Sequence, residues 1–137
     1  MTFDKCVERD AAEDCRTPRF KQIAYFCGQH AFCLTPSQKS LNQAKQNMIK
    51  HYPLIGYLEN IDEFLEASEM LWPQFFKDGL KMYYKLINSH GYFKPYSTPK
   101  PSEKTKTIMM AKLKFEYEFY NFVKQRFNCT YKLLTKR

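Results

Sequence analysis

The stretch LIGYLENIDEFLEASEML, residues 54–71, changes its hydrophobic period part-way along. Residues 54–59 are a short apolar run bounded by Pro53 and Asn60, which predicts a buried strand, and Gly56 inside it predicts a close backbone approach. From Asn60 onward the period is helical: Ile61, Phe64, Leu65, Ser68, Leu71 and Trp72 trace one face. Asn60 and Glu63 have the spacing of a helix N-terminal capping pair, with Asn in place of the usual Ser or Thr. The stretch therefore reads as a strand feeding a helix.

Working outward, Ser37 or Ser40 opens a preceding helix in which Leu41, Ala44, Met48 and Tyr52 share a face opposite Lys39, Gln43, Lys45 and Lys50. Downstream, Pro73 punctuates, and a helix from about Gln74 to Ile87 offers Phe75, Phe76, Leu80, Tyr83, Tyr84 and Ile87. Residues 88–101, NSHGYFKPYSTPKP, hold three of the seven prolines and predict a surface crossing. Ser102 opens a last helix to about Phe127, its stripe of Met109, Leu113, Tyr120, Val123 and Phe127 widened by Phe115, Phe119 and Phe122. Residues 1–36 read as loop, except that Ile23 to Phe26 suggests a short strand.

With 137 residues and 44% hydrophobic composition the chain is one domain, or a large part of one. Twenty-two Lys and Arg against fourteen Asp and Glu give +8. That balance favours a polyanionic partner such as nucleic acid, anionic lipid or acidic polysaccharide, without choosing among them. The interleaved KMYYK (81–85) and YFKPY (92–96) keep a non-enzymatic heparin- or nucleic-acid-binding module in view. As written, the sequence shows no secretion signal and no run of eighteen apolar residues.

Four of the five cysteines lie in CVERDAAEDC (6–15) and YFCGQHAFC (25–33). Cys27, His30 and Cys33, joined by Cys6 or Cys15, are possible zinc ligands, but intervals of eight and five residues between cysteines are longer than structural zinc sites use. Local disulfides, Cys6 with Cys15 and Cys27 with Cys33, are the competing reading, and buried free thiols a third. His30 by itself reads as a loop histidine. Cys129 is left over, inside the N-glycosylation acceptor pattern NCT that begins at Asn128.

PKPSEKTKT (99–107) is the segment richest in binding chemistry. Ser102 can cap the helix, and the first-turn N–H groups, Thr105 and lysines 100, 104 and 106 would surround an anion there. An ordinary capped, solvated helix start is the simpler reading of the same residues. No nucleophile stands out, and Gly28, Gly56, Gly79 and Gly91 are too far apart for a phosphate loop. Asp62, Glu63, Glu66 and Glu69 read as a solvated helix face, and Glu116 and Glu118 as surface or cap-pairing groups.

The two cysteine segments, LNQAKQNMIKHYPLIGYLENIDEFLEASEMLWPQFF (41–76) and FEYEFYNFVKQRF (115–127) together resemble the C-terminal part of the uronosyl 2-O-sulfotransferases, over residues 3–127. The resemblance implies a P-loop-like α/β fold, of which this chain is a helix-rich part with one or two short strands. It implies a 3′-phosphoadenosine 5′-phosphosulfate (PAPS) donor and no metal. The acceptor would be a uronic acid 2-hydroxyl in an acidic glycosaminoglycan (dermatan, chondroitin or heparan sulfate), not a nucleic acid. It implies that Cys6, Cys15, Cys27 and Cys33 form two disulfides, and it places donor-phosphate binding on Ser102 and Thr105, with Lys100 and Lys106 less securely aligned. The family's donor loop, catalytic histidine and membrane anchor lie upstream of the matching region, so no catalytic residue is expected in this chain, which would be inactive alone. A Golgi-lumenal location, a membrane anchor in the full-length protein and a homo-oligomer are further implications.

Overall fold

A computed structural model describes residues 2–12, 15, 22–90 and 99–136, and among them every regular element is a helix. In chain order these are α1 (Phe3–Arg9), α2 (Gln22–Cys27), a 3-10 turn (Ala31–Leu34), α3 (Gln38–His51), a second 3-10 turn (Leu58–Asn60), α4 (Ile61–Leu71), α5 (Pro73–Phe76), α6 (Gly79–His90), α7 (Glu103–Lys112) and α8 (Lys114–Thr135). They divide into two compact units, Met1–Pro53 with Pro99–Phe122, and Leu54–Thr98 with Val123–Arg137. The first part of α8 thus belongs to one unit and the rest to the other.

In the first unit, Ser37 begins α3 with a reciprocal cap: its Oγ accepts the Ser40 N–H at 3.1 Å while the Ser37 N–H donates to Ser40 Oγ at 3.0 Å. Leu41, Ala44 and Met48 are buried along the face that the sequence marks. The expected strand at Ile23 to Phe26 is instead α2, only six residues long. Such a helix is too short to persist unaided. Its first N–H groups are taken by Glu116 of α8, which accepts from Gln22 at 3.3 Å and Ile23 at 3.1 Å. Its last carbonyls are taken by Asn47 of α3, which donates to Phe26 and Cys27 at 3.0 and 2.9 Å. Ile23 and Cys27 are buried, and the Phe26 ring lies 5.3 Å from Phe119 and 5.1 Å from Tyr52. Side chains distant in sequence make this segment helical.

Two disulfides staple the N-terminal quarter. Cys27 is bonded to Cys33, whose side chain is fully buried, and Cys6 to Cys15, with Cα separations of 5.6 and 6.0 Å. Both separations suit an unstrained bridge. Cys6, Val7 and Cys15 pack against Ile108 and Met109 of α7. Beside that contact, Lys104 pairs with Glu8 and Lys112 with Asp10, each at 3.0 Å. The segment expected to be loop therefore rests as a helix on α7.

In the second unit, residues 54–57 form no strand and are half-buried rather than buried. A strand needs another to take its backbone hydrogen bonds, and the described residues supply none. Gly56 does mark a close approach, but the neighbour is the Phe64 ring of α4: a Cβ at position 56 would lie 2.9 Å from Phe64 Cγ and nearer still to Cδ2. Asn60 starts α4 without bonding its backbone; its amide instead meets the Glu63 carboxylate. Pro73 ends α4 and opens α5, and the helix expected over 74–87 is split at Lys77 and Asp78, where Asp78 turns left-handed at φ 57°. The Asp78 N–H donates to Glu69 at 3.0 Å. The α6 helix then runs through Asn88 to His90, three residues into the expected crossing; residues 91–98 lie outside the described residues.

The last helix is broken once, at Leu113, and extends past Phe127 to Thr135. No proline or glycine marks the break. Beyond it, Phe127 is buried with Tyr57, Phe64 and Tyr131 around it at ring separations of 5.9, 6.3 and 6.0 Å. The Tyr131 hydroxyl donates to Glu66 at 2.6 Å, a bond that pushes its pKa up to about 12. Tyr131 continues the spacing of Tyr120, Val123 and Phe127, so the stripe carries the helix further than NCT suggests.

Gly56→Ala should destabilise the chain by about 1–3 kcal/mol, the cost of overpacking against Phe64. Urea denaturation in a Phe64→Ala background should shrink that cost well below its value in the native chain. Reduction of both staples should lower stability by about 2–3 kcal/mol per bridge in the loop-entropy model, read as a shift in urea midpoint with and without reductant.

Candidate functional site

The N-terminus of α7 is built as the sequence predicts in one respect: Ser102 is its cap, and its Oγ accepts the Thr105 N–H at 3.2 Å. What the sequence does not reveal is a carboxylate already seated there. The Ser102 N–H donates to both oxygens of Asp4 from α1, at 3.0 and 3.3 Å. The Thr105 hydroxyl also bonds Asp4, and this bond, followed by the Ser102 N–H, holds the Asp4 carboxyl below its usual range. Ser102 Oγ in turn donates to Thr105 Oγ1 at 3.0 Å. Both hydroxyls are therefore engaged in the junction with Asp4, and the Thr105 side chain is fully buried.

A helix N-terminus attracts an anion because its first N–H groups lack intrahelical partners and the helix dipole is positive there. Here the protein supplies that anion itself. The surrounding ammonium groups are partly spoken for: Lys104 pairs with Glu8, and Lys106 with Glu103 one turn back. Lys100 is exposed and has no ion pair among the described residues. As arranged, Ser102 and Thr105 join α1 to α7, while Lys100 and the outer side of Lys106 face water.

The other residues singled out lie apart from this junction in role. Asn128 sits in mid-helix on α8, exposed, and accepts the Tyr57 hydroxyl at 3.3 Å; Cys129 beside it is a free, exposed thiol. The His30 ring is exposed and stacks on Phe32 at 5.4 Å, with the Lys39 ammonium 4.3 Å from the Phe32 centroid. With Cys27 and Cys33 bonded to each other, His30 has no thiolates beside it, and the described residues contain no cluster of three or more His, Cys, Asp or Glu placed to hold a metal. Among the described residues no helix is long and apolar enough to cross a membrane. Sequence reasoning missed Asp4 and Asn47, single polar residues whose partners lie 98 and about 20 positions away. Glu116 and Glu118, which the sequence marks jointly as surface or cap-pairing groups, divide: Glu116 accepts from the first N–H groups of α2, and Glu118 bonds Lys45 at 2.7 Å.

Because the folded Asp4 carboxyl is held below its ordinary value of 3.8, its stabilising effect is fully present above that pH and lost as the pH falls through the folded pKa. Asp4→Asn should therefore lower the thermal midpoint at pH 6–7, and the gap to the native chain should close as the pH falls below about 4. Melting curves across pH 2–7 for both proteins check this.

No protein-family model matches the chain. Curated proteins do. The chain is 34% identical to the uronyl 2-sulfotransferase of Homo sapiens over 134 residues, which are 93% of this chain and 32% of that protein. It is 33% identical to the heparin sulfate O-sulfotransferase of Drosophila melanogaster over 137 residues, 98% of this chain and 39% of that protein. It is 30% identical to a heparan sulfate 2-O-sulfotransferase of Caenorhabditis elegans over 139 residues, covering 98% and 43%. The chain thus spans about a third of the length of the curated relatives it matches. Along nearly its whole length the chain is therefore similar to a part of the uronyl 2-sulfotransferases and heparan sulfate 2-O-sulfotransferases.

Proposed function

We propose that the chain is the C-terminal part of a Golgi-lumenal uronosyl 2-O-sulfotransferase, which moves a sulfuryl group from PAPS to a uronic acid 2-hydroxyl in dermatan, chondroitin or heparan sulfate. The observation that carries the reading is the alignment with such enzymes along nearly the whole chain. The two disulfides support it, since bridges of this kind persist in the oxidising secretory pathway. A net charge of +8 suits an acidic polysaccharide as acceptor.

Sulfuryl transfer needs a base for the hydroxyl proton and cations for the charge that develops on the leaving phosphate. When bound, PAPS supplies the activated sulfuryl group. In this reading the chain contributes to the second requirement only: Lys100 and Lys106 at the start of α7 face the donor phosphate. Ser102 and Thr105, tied to Asp4, hold that helix start in place for them. The base and the donor loop belong to the two-thirds of the relatives' length that the chain does not span. On each unit by itself such a region would cover large apolar side chains that are more than 70% exposed here, Tyr25 and Leu34 on the first and Phe75 on the second. The chain alone is then inactive.

Joined to the upstream region of a relative, the chain should incorporate labelled sulfate from PAPS into desulfated dermatan or heparan chains, whereas the 137-residue chain should incorporate none. A well-folded joined protein that binds PAPS yet transfers no label would reject the reading.

A further inference from the structure

Asn128, Cys129 and Thr130 make the single Asn-x-Ser/Thr pattern in the sequence, and it lies in mid-helix on α8. Asn128 is exposed, and so are Gln125, Cys129 and Lys132, its neighbours on that side of the helix. The packed side is the other one, where Phe127 is buried and Tyr131 bonds Glu66. A bulky group on Asn128 therefore displaces none of these packed side chains.

The polar contacts of the pattern divide in the same way. The Tyr57 hydroxyl donates to Asn128 Oδ1 at 3.3 Å and accepts from the Asn60 amide at 3.3 Å. An N-linked sugar is carried by Nδ2, and Oδ1 remains a carbonyl oxygen after the attachment, so the bond from Tyr57 survives it. The Thr130 hydroxyl is in a different position. It donates to the Arg126 carbonyl at 3.0 Å, inside the helix. An enzyme that modifies this pattern takes the Asn amide and the Thr hydroxyl together from an extended or turn-like backbone. Helical dihedrals and the Thr130–Arg126 bond both withhold that arrangement.

We infer that Asn128 carries an N-linked oligosaccharide, attached before α8 forms and kept afterwards on the exposed side of that helix. The inference rests on the secretory-pathway part of the sulfotransferase reading, since the donor is an oligosaccharide held on a lipid pyrophosphate in the lumen. In the transfer, Asn128 Nδ2 bonds to the anomeric carbon of the first sugar and loses one proton. The bond from that carbon to the pyrophosphate oxygen breaks, and the lipid pyrophosphate leaves with the electron pair. Folding of α8 then closes the pattern to any later modification.

For the test, the 137-residue chain enters the secretory pathway of an animal cell behind a cleavable signal. Intact mass and peptide mapping are read with and without peptide N-glycosidase. The native chain should carry a glycan at position 128 that the glycosidase removes. Asn128→Gln and Thr130→Ala should each lose it completely; the second leaves the Asn128–Tyr57 bond in place, so a shared loss is not a packing defect. Cys129→Ser keeps the pattern and should keep the glycan. In a cell-free arm, the folded glycan-free chain should resist an oligosaccharyltransferase supplied with the lipid-linked donor. A synthetic peptide of residues 124–134, too short to hold a helix alone, should be modified. A secreted chain with both staples formed and Asn128 bare, a glycan that persists in Asn128→Gln, or a folded chain modified as fast as the peptide would each overturn the inference. The first of these leaves the sulfotransferase reading standing, because the staples report the compartment and sulfate transfer is read on the joined protein.

Discussion

Six residues of helix, Gln22–Cys27, cannot satisfy their own backbone, and the first unit is organised around satisfying it for them. Glu116 accepts at one end, Asn47 donates at the other, and the Cys27–Cys33 bridge fixes where the chain leaves. These three attachments come from α8, α3 and the following turn. With α2 held, Ile23 is fully buried and Phe26 meets Phe119, so a short local segment supplies the core between two long helices. Removing Glu116 or Asn47 leaves part-buried backbone groups of α2 without their partner, a cost larger than the hydrogen bond alone.

The same device recurs at the start of α7, where Asp4 takes the role that Glu116 plays for α2. In both places a carboxylate from a distant element fills a helix N-terminus, so the fold uses the local positive potential for its own cohesion. In the second unit the carboxylates of α4 likewise serve tyrosine hydroxyls and the backbone N–H of Asp78.

Sequence periodicity gave access to whatever is local. Ser102 as a cap, Ser37 as one of two candidates with Ser40, the buried face of α3, and Phe119, Val123 and Phe127 as core positions all follow from spacing within one helix. Gly56 was legible as a tight contact, although the sequence could not say that Phe64, on the next helix, is what presses on it. The strands were misread because a short apolar run has no period of its own. Ile23 to Phe26 is helical through contacts with Asn47 and Glu116, and among the described residues 54–57 has no strand to pair with. In the candidate site, Ser102 was legible as a helix cap from its place before α7. Asp4 was not, since nothing within ten residues of it hints at a partner near position 102.

Every part of this account assumes that the early cysteines are oxidised in one particular pairing. Peptide mapping by mass spectrometry, on chain recovered from a secretory host and digested without reductant, reads that pairing directly. The account predicts cross-linked peptides joining position 6 to 15 and 27 to 33, with Cys129 free. Shuffled pairs, or four free thiols that release a bound ion on acidification, would contradict it.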